Sequence, residues 1–146
     1  YPIGIPSNIF PLITNTALGL QKELNIFGND WPTKDGTPVR DYIHVMDVAE
    51  SHIKILEHLI PKEPTFFTLN IGTGLGTSVL ELIKIFEKTN NVKVKYKFAR
   101  RRSGDMPTVV ADNSLLCSKF NLKPKRGIEE MCRDGWKWRQ LNPLGF

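Results

Sequence analysis

The chain has 146 residues, 40% of them apolar and 24% charged, which suits one domain with one core and excludes a disordered tail. No apolar run reaches the length of a membrane span, and residues 1–4 have neither the basic start nor the apolar core segment of a signal peptide. The net charge of +5 and a pI of about 9.3 favour an anionic ligand, but the charge is spread, and no zinc spacing, RNA-recognition signature or aromatic–basic repeat points to nucleic acid.

Pro2, Pro6 and Pro11 predict an extended start, followed by a helix over residues 9–20 with Ile9, Leu12, Ile13, Ala17 and Leu20 on one face. Asn8 stands just before it, as a cap or as part of an anion site at the helix N-terminus. Residues 24–27 read as a short strand closed by the turn Gly28-Asn29-Asp30, with Phe27 as a core aromatic. The stretch 35–50 passes from the turn signal Asp35-Gly36 through a β-prone run at 39–45 to a helix start. Asp47 and Glu50 have the spacing of a capping box there. Arg40 beside the turn either offers its fork to a diphosphate or pairs with Asp35 or Asp41 on the surface.

An amphipathic helix over 48–60 ends at Pro61, with His52 on its core side. Residues 65–71 are β-prone and lead into Gly72-Thr73-Gly74-Leu75-Gly76. Ser78 and Glu81 then form a capping box for a helix over 79–88. The order strand, glycine loop, helix suggests a dinucleotide fingerprint. The third glycine position is Thr77, however, and no acidic residue closes the next strand, so the loop is rejected as an NAD site. Residues 92–98 alternate cleanly, which places Val92, Val94, Tyr96 and Phe98 toward a core and Lys93, Lys95 and Lys97 toward water. That strand delivers Arg100-Arg101-Arg102-Ser103-Gly104-Asp105, a run able to wrap an anion. Helices over 114–120 and 128–141 follow, with Cys117 and Cys132 as buried thiols and Trp136 and Trp138 as packing residues. The three histidines and two cysteines have no metal-ligand spacing.

The segment G-T-x-V-R-D-Y-I-H-V-x-D-V-A at 36–49 closely resembles the C-terminal half of the UDP-galactose 4-epimerases, which are extended short-chain dehydrogenase/reductases. I-P-S-N at 5–8, L-N-I-F-G-N-D-W at 24–31, L-N-I-G-T-G at 69–74, R-R-x-G-D-x-P at 101–107 and D-G-W-K-W-R at 134–139 match in the same order. The family more often has two asparagines where this chain has Ser7-Asn8.

The resemblance implies an α/β fold: the UDP-sugar-binding portion over residues 1–146, with small sheet elements and packed helices. The N-terminal Rossmann domain is then absent, and about residues 43–72 pack against that NAD-binding domain. It further implies that Asn8 contacts the nucleotide-sugar and that Asn25, Ile26 and Phe27 line the uracil pocket. Arg40 and Arg102 meet the diphosphate, Asp105 meets the ribose, and Tyr42 belongs to the substrate site. Val109, four beyond Asp105, then lies near the substituent on sugar C2, where a small residue accompanies acceptance of UDP-N-acetylhexosamines. The other reading of Val109 is a β-branched residue in an extended segment.

The family's Tyr-x-x-x-Lys is missing, since Tyr1, Tyr42 and Tyr96 have Ile5, Met46 and Arg100 four residues on. No catalytic residue is therefore expected in this chain, and the chain alone is expected to be inactive. The whole protein is expected to interconvert UDP-glucose and UDP-galactose with NAD, as a cytoplasmic homodimer with no nucleic-acid or membrane partner. Two alternatives are another nucleotide-sugar epimerase or dehydratase of the same superfamily, or a polyanion-binding module.

Overall fold

A computed structural model describes residues 8–143. The elements are α1 (Ile9–Ala17), β1 (Leu24–Phe27), β2 (Val39–Arg40), α2 (Val45–Leu59), β3 (Thr77–Ser78), α3 (Val79–Asn90), β4 (Tyr96–Ala99), β5 (Thr108–Val109), α4 (Ser114–Phe120) and α5 (Ile128–Leu141). Two small sheets organise them. β1 and β4 pair in parallel, Leu24 beside Tyr96 and Phe27 beside Ala99. β2 lies between β3, antiparallel, and β5, parallel. This is the mixed α/β architecture, small sheets with packed helices, that the resemblance implies.

The core lies where α1, α3 and α5 close on β1. Ile13, Leu24, Ile26, Leu82, Ile83, Phe86 and Cys132 are fully buried there, with Val94 and Trp136 beside them. Phe86 is its centre, with edge-on contacts to the rings of Phe10 at 6.0 Å and Trp136 at 5.6 Å. Gly135 explains the close approach of α1 to α5: a Cβ there would sit 2.4 Å from the Phe10 ring. The segment 134–136 thus has three separate jobs. Asp134 faces the His44 imidazole at 3.4 Å, Gly135 admits Phe10, and Trp136 packs on Phe86.

The capping box at Ser78 is present in both directions: Ser78 Oγ accepts from the Glu81 amide, and the Glu81 carboxylate accepts from the Ser78 amide. The other predicted box is not. α2 starts three residues early because His44 caps it, its Nδ1 accepting from the Met46 amide at 3.1 Å. Asp47 and Glu50 are thereby free to hold a distant segment. Asp47, 3% exposed, accepts from the Lys125 and Arg126 amides, and the Arg126 guanidinium bridges Asp47 and Glu50.

Other departures have local causes. α1 ends at Ala17 because Gly19 turns to φ +76°, so Leu20 leaves the helical face and is exposed. Residues 65–71 form no ladder. Only Tyr96–Ala99 of the alternating run is strand, and Tyr96 and Phe98 are largely exposed. They lie on the outer strand of a two-stranded sheet, beyond the reach of the helices that bury Val94. His52 is exposed and bonds the Val48 carbonyl, Trp138 is partly exposed, and Cys117 is only half-buried. No helix among the described residues is long and apolar enough to cross a membrane.

The Asp47 clamp makes stability sensitive to acid. Burial pushes its carboxyl up, but the Arg126 and Lys125 amides and the Arg126 guanidinium outweigh burial and hold it below the usual carboxylate range. A depressed folded-state value stabilises above the unfolded-state value, and that stability is lost as pH falls through the folded one. Urea midpoints should therefore drop below about pH 4. Asp47→Asn should cost about 1.5–3 kcal/mol at neutral pH and flatten the acid limb. An unchanged limb in the variant would show that the clamp does not set it.

Candidate functional site

Three aspartates in the stretch 35–47 each tie one end of a short element to a remote segment. Asp35 accepts from the Thr37 amide and hydroxyl and from Ser78 Oγ, joining the turn to the start of α3. Burial raises its carboxyl, but the Ser78 and Thr37 bonds prevail and hold it below the ordinary range. Asp41 accepts from Thr73 Oγ1 at 2.5 Å and from the amides of Thr73 at 3.0 Å, Gly74 at 2.9 Å and Ala111 at 3.3 Å. Asp47 holds residues 125 and 126.

Arg40 therefore pairs with neither Asp35 nor Asp41. One guanidinium nitrogen donates to the carbonyls of Val39 at 2.7 Å and Met106 at 2.9 Å, which fixes the head group at the end of β2. The same network disposes of the glycine loop. The Thr73 and Gly74 amides already serve the Asp41 carboxylate. A Cβ at Gly72 would sit 2.4 Å from that of Ala111, and one at Gly76 would sit 2.6 Å from Val39. The glycines are there for packing, and the loop does not fit a dinucleotide pyrophosphate.

A cleft of about 970 Å³ opens between the start of α1, β1, the end of β2 and the turn after β4. Asn8, Asn25, Ile26, Phe27, Arg40, Tyr42, Arg102 and Asp105 all line it. Asn8 holds the N-cap position of α1, but its side chain makes no cap bond. Arg102 forms a two-pronged pair with Asp105, at 2.9 and 3.1 Å, and its guanidinium lies 4.5 Å from the centre of the Phe27 ring. Phe27 is therefore a cleft residue, not a core aromatic.

The Tyr42 hydroxyl is buried and has no hydrogen-bond partner among the described residues. Burial pushes its pKa up to about 12, against the Arg40 charge, so it remains a protonated donor in the cleft wall. Val109 stands apart. It is registered beside Arg40 on β5 but is 51% exposed and does not line the cleft.

β1 supplies a further recognition element. Its Leu24 amide bonds the Lys95 carbonyl just before β4 and its Gly28 amide bonds the Ala99 carbonyl, so strand alternation turns the backbone groups of Asn25 and Phe27 to the opposite edge. Among the described residues that edge pairs with no strand. Sequence reasoning missed Asn15, Leu20 and Gln21, which complete the cleft behind Asn8. Leu20 had only the helical period as a signal, and that pointed inward.

The family model described as GDP-mannose 4,6 dehydratase matches residues 3–135. The UDP-glucose 4-epimerase of Drosophila melanogaster is 47% identical over 146 residues, 99% of this chain and 42% of the relative. That of Bacillus subtilis is 48% identical over 145 residues, with the same coverage. Among solved structures, the UDP-glucose-4-epimerase of Stenotrophomonas maltophila, with bound NAD and formylated UDP-arabinopyranose, superposes with a TM-score of 0.91 at 47% identity. It is covered over 42% of its length by 97% of this chain. The UDP-glucose 4-epimerase of Bifidobacterium longum, in complex with NAD+ and UDP, gives 0.92 at 39% identity over 99% of this chain and 43% of its own. The chain thus spans less than half the length of the relatives it matches. On this sequence match and this superposition, the chain belongs to the GDP-mannose 4,6 dehydratase domain family, within which it resembles the UDP-glucose 4-epimerases.

Proposed function

We propose that this chain is the UDP-sugar-binding part of a UDP-glucose 4-epimerase, which interconverts UDP-galactose and UDP-glucose through a 4-keto sugar. The observation that carries the reading is the single cleft in which two guanidinium groups, the Tyr42 donor and the unpaired edge of β1 converge. Arg40 and Arg102 hold the diphosphate. Asp105 exchanges its bonds to Arg102 for a ribose hydroxyl as the phosphates take over the guanidinium. The backbone of Asn25 and Phe27 meets the uracil edge, and Asn8 contacts the nucleotide-sugar. The sugar must turn over between its two half-reactions, so the grip belongs on UDP. Binding energy from that non-reacting part places the reacting carbon.

NAD, which takes up and returns the hydride, is held outside this chain, since the glycine loop does not fit it. α2 offers the surface for that domain. Its outer face exposes Val45 (72%), Met46, Ala49, Ile53, Leu56 and Ile60 (73%), which recur at helical spacing. The reading extends to a cytoplasmic homodimer.

Calorimetry on the full-length protein should show Arg40→Ala and Arg102→Ala each weakening UDP binding by roughly 1.5–3 kcal/mol. Arg100→Ala should change it far less. Equal losses from all three would mean a diffuse basic surface. This chain by itself, supplied with NAD and UDP-galactose, should give no UDP-glucose and should associate through α2. A monomer that unfolds cooperatively and binds no hydrophobic dye would count against the α2 assignment. Val109 does not line this cleft, and only the family resemblance places it near sugar C2; on that reading its isopropyl group should admit UDP-N-acetylgalactosamine. Val109→Tyr should abolish that activity and spare UDP-galactose. Indifference of both substrates to the tyrosine would remove Val109 from the specificity site.

A further inference from the structure

Of the three consecutive arginines at the end of β4, only Arg102 reaches the cleft. Arg101 turns the other way and is held as firmly. Its Nε donates to the Asp30 carboxylate at 2.8 Å, and a terminal nitrogen donates to the Asp30 carbonyl at 2.5 Å. Its guanidinium carbon lies over the Trp31 ring, 3.9 Å from the ring centre. The Asp30 carboxylate is largely exposed, so the ion pair alone has little energetic weight. The planar fork, stacked and bonded at once, is a geometric restraint that lysine could not supply.

What it restrains is Trp31. The indole folds back over Gly28, whose φ of +90° and missing Cβ permit this; a Cβ there would lie 2.2 Å from Trp31 Nε1 and 3.0 Å from Arg101 Cγ. Nε1 then donates to the Phe27 carbonyl at 3.1 Å. That carbonyl belongs to the unpaired edge of β1, while the Phe27 ring lies under Arg102. Neighbouring arginines thus grip one residue from two sides: Arg102 through its ring, and Arg101 through Trp31 and its carbonyl.

We propose that Arg101 is a positioning residue that, through Trp31, holds the Phe27 backbone in place at the edge that reads the nucleotide base. This rests on the UDP-site reading above. With the Phe27 carbonyl engaged by Trp31, that edge keeps the Phe27 amide as a donor and the Asn25 carbonyl as an acceptor, a pair that matches O4 and N3–H of uracil and mismatches the amino group and bare N3 of cytosine. A site built around a hydrogen bond rejects a ligand that cannot make it. Arg101 does not line the cleft, so its effect is exerted through supporting geometry.

The test measures UDP and CDP affinities by calorimetry in the full-length protein, for wild type, Arg101→Met, Arg101→Lys and Trp31→Phe, with melting temperatures alongside. Arg101→Met should weaken UDP about tenfold and CDP by less than about threefold, so that the preference for UDP falls. Trp31→Phe keeps an aromatic face under the guanidinium but removes the donor to Phe27, and should lose the same preference. Arg101→Lys should recover the melting temperature more than the preference. If either Arg101→Met or Trp31→Phe weakens UDP and CDP equally, or lowers only the melting temperature, Arg101 is structural and the proposal is overturned. If wild type binds neither nucleotide, the UDP-site reading itself fails.

Discussion

The Asp41 carboxylate is the constraint on which the site depends. It receives three backbone amides and one hydroxyl from two segments remote in sequence. β2 and β5 are only two residues long and could not hold together on ladder bonds alone. With Asp41 in place, the end of β2 is fixed against residues 73, 74 and 111. Arg40, one residue earlier, inherits a fixed origin, and its bond to the Met106 carbonyl ties β2 to the segment that carries Arg102 and Asp105. Asp35 and Asp47 do the same at either end of the stretch. In the central segment, acidic side chains make the long-range ties that a large sheet would otherwise supply.

Regular elements with local signals were legible. Ser114–Phe120, Ile128–Leu141 and Leu24–Phe27 coincide with the periodicity and turn residues that predicted them. The Ser78 box was also legible, because both partners lie within one turn. The Asp47 box failed for the opposite reason. His44 outcompetes Asp47 for the cap, and the group that claims Asp47 is Arg126, whose proximity no local pattern records. The same limit explains Tyr96 and Phe98. Alternation fixes which side of a strand they share, but whether anything covers that side depends on the number of strands and the reach of the helices.

The cleft was legible through motif order, which assigns Asn8, Asn25, Phe27, Arg40, Tyr42, Arg102 and Asp105 to one ligand, and these residues do line one cleft. What motif order could not convey was state. Arg102 and Asp105, expected to meet different parts of a ligand, meet each other in this structure. The pairing keeps both groups hydrogen-bonded in a half-exposed site, and it spares the protein an unpaired guanidinium over an aromatic ring. Motif order singled out Arg102 and left Arg100 outside, but it gave no role to Arg101, which is set by its contact with Trp31.

The parallel pairing of β1 with β4 has a consequence for how the chain comes together. Leu24 aligns with Tyr96, and everything from β2 to the end of α3 lies between them. A ladder of this kind cannot form during synthesis until the intervening residues have left the ribosome, so its closure is a non-local step with a long loop to order. The β2–β3–β5 sheet waits longer still for β5. The nascent chain therefore holds the floor of the cleft as an unpaired strand for much of its emergence, and the arginine run that completes the wall arrives immediately after the strand that closes it. The opposite wall waits longer, because Arg40 is fixed only once β5 and Ala111 have joined β2 and Asp41.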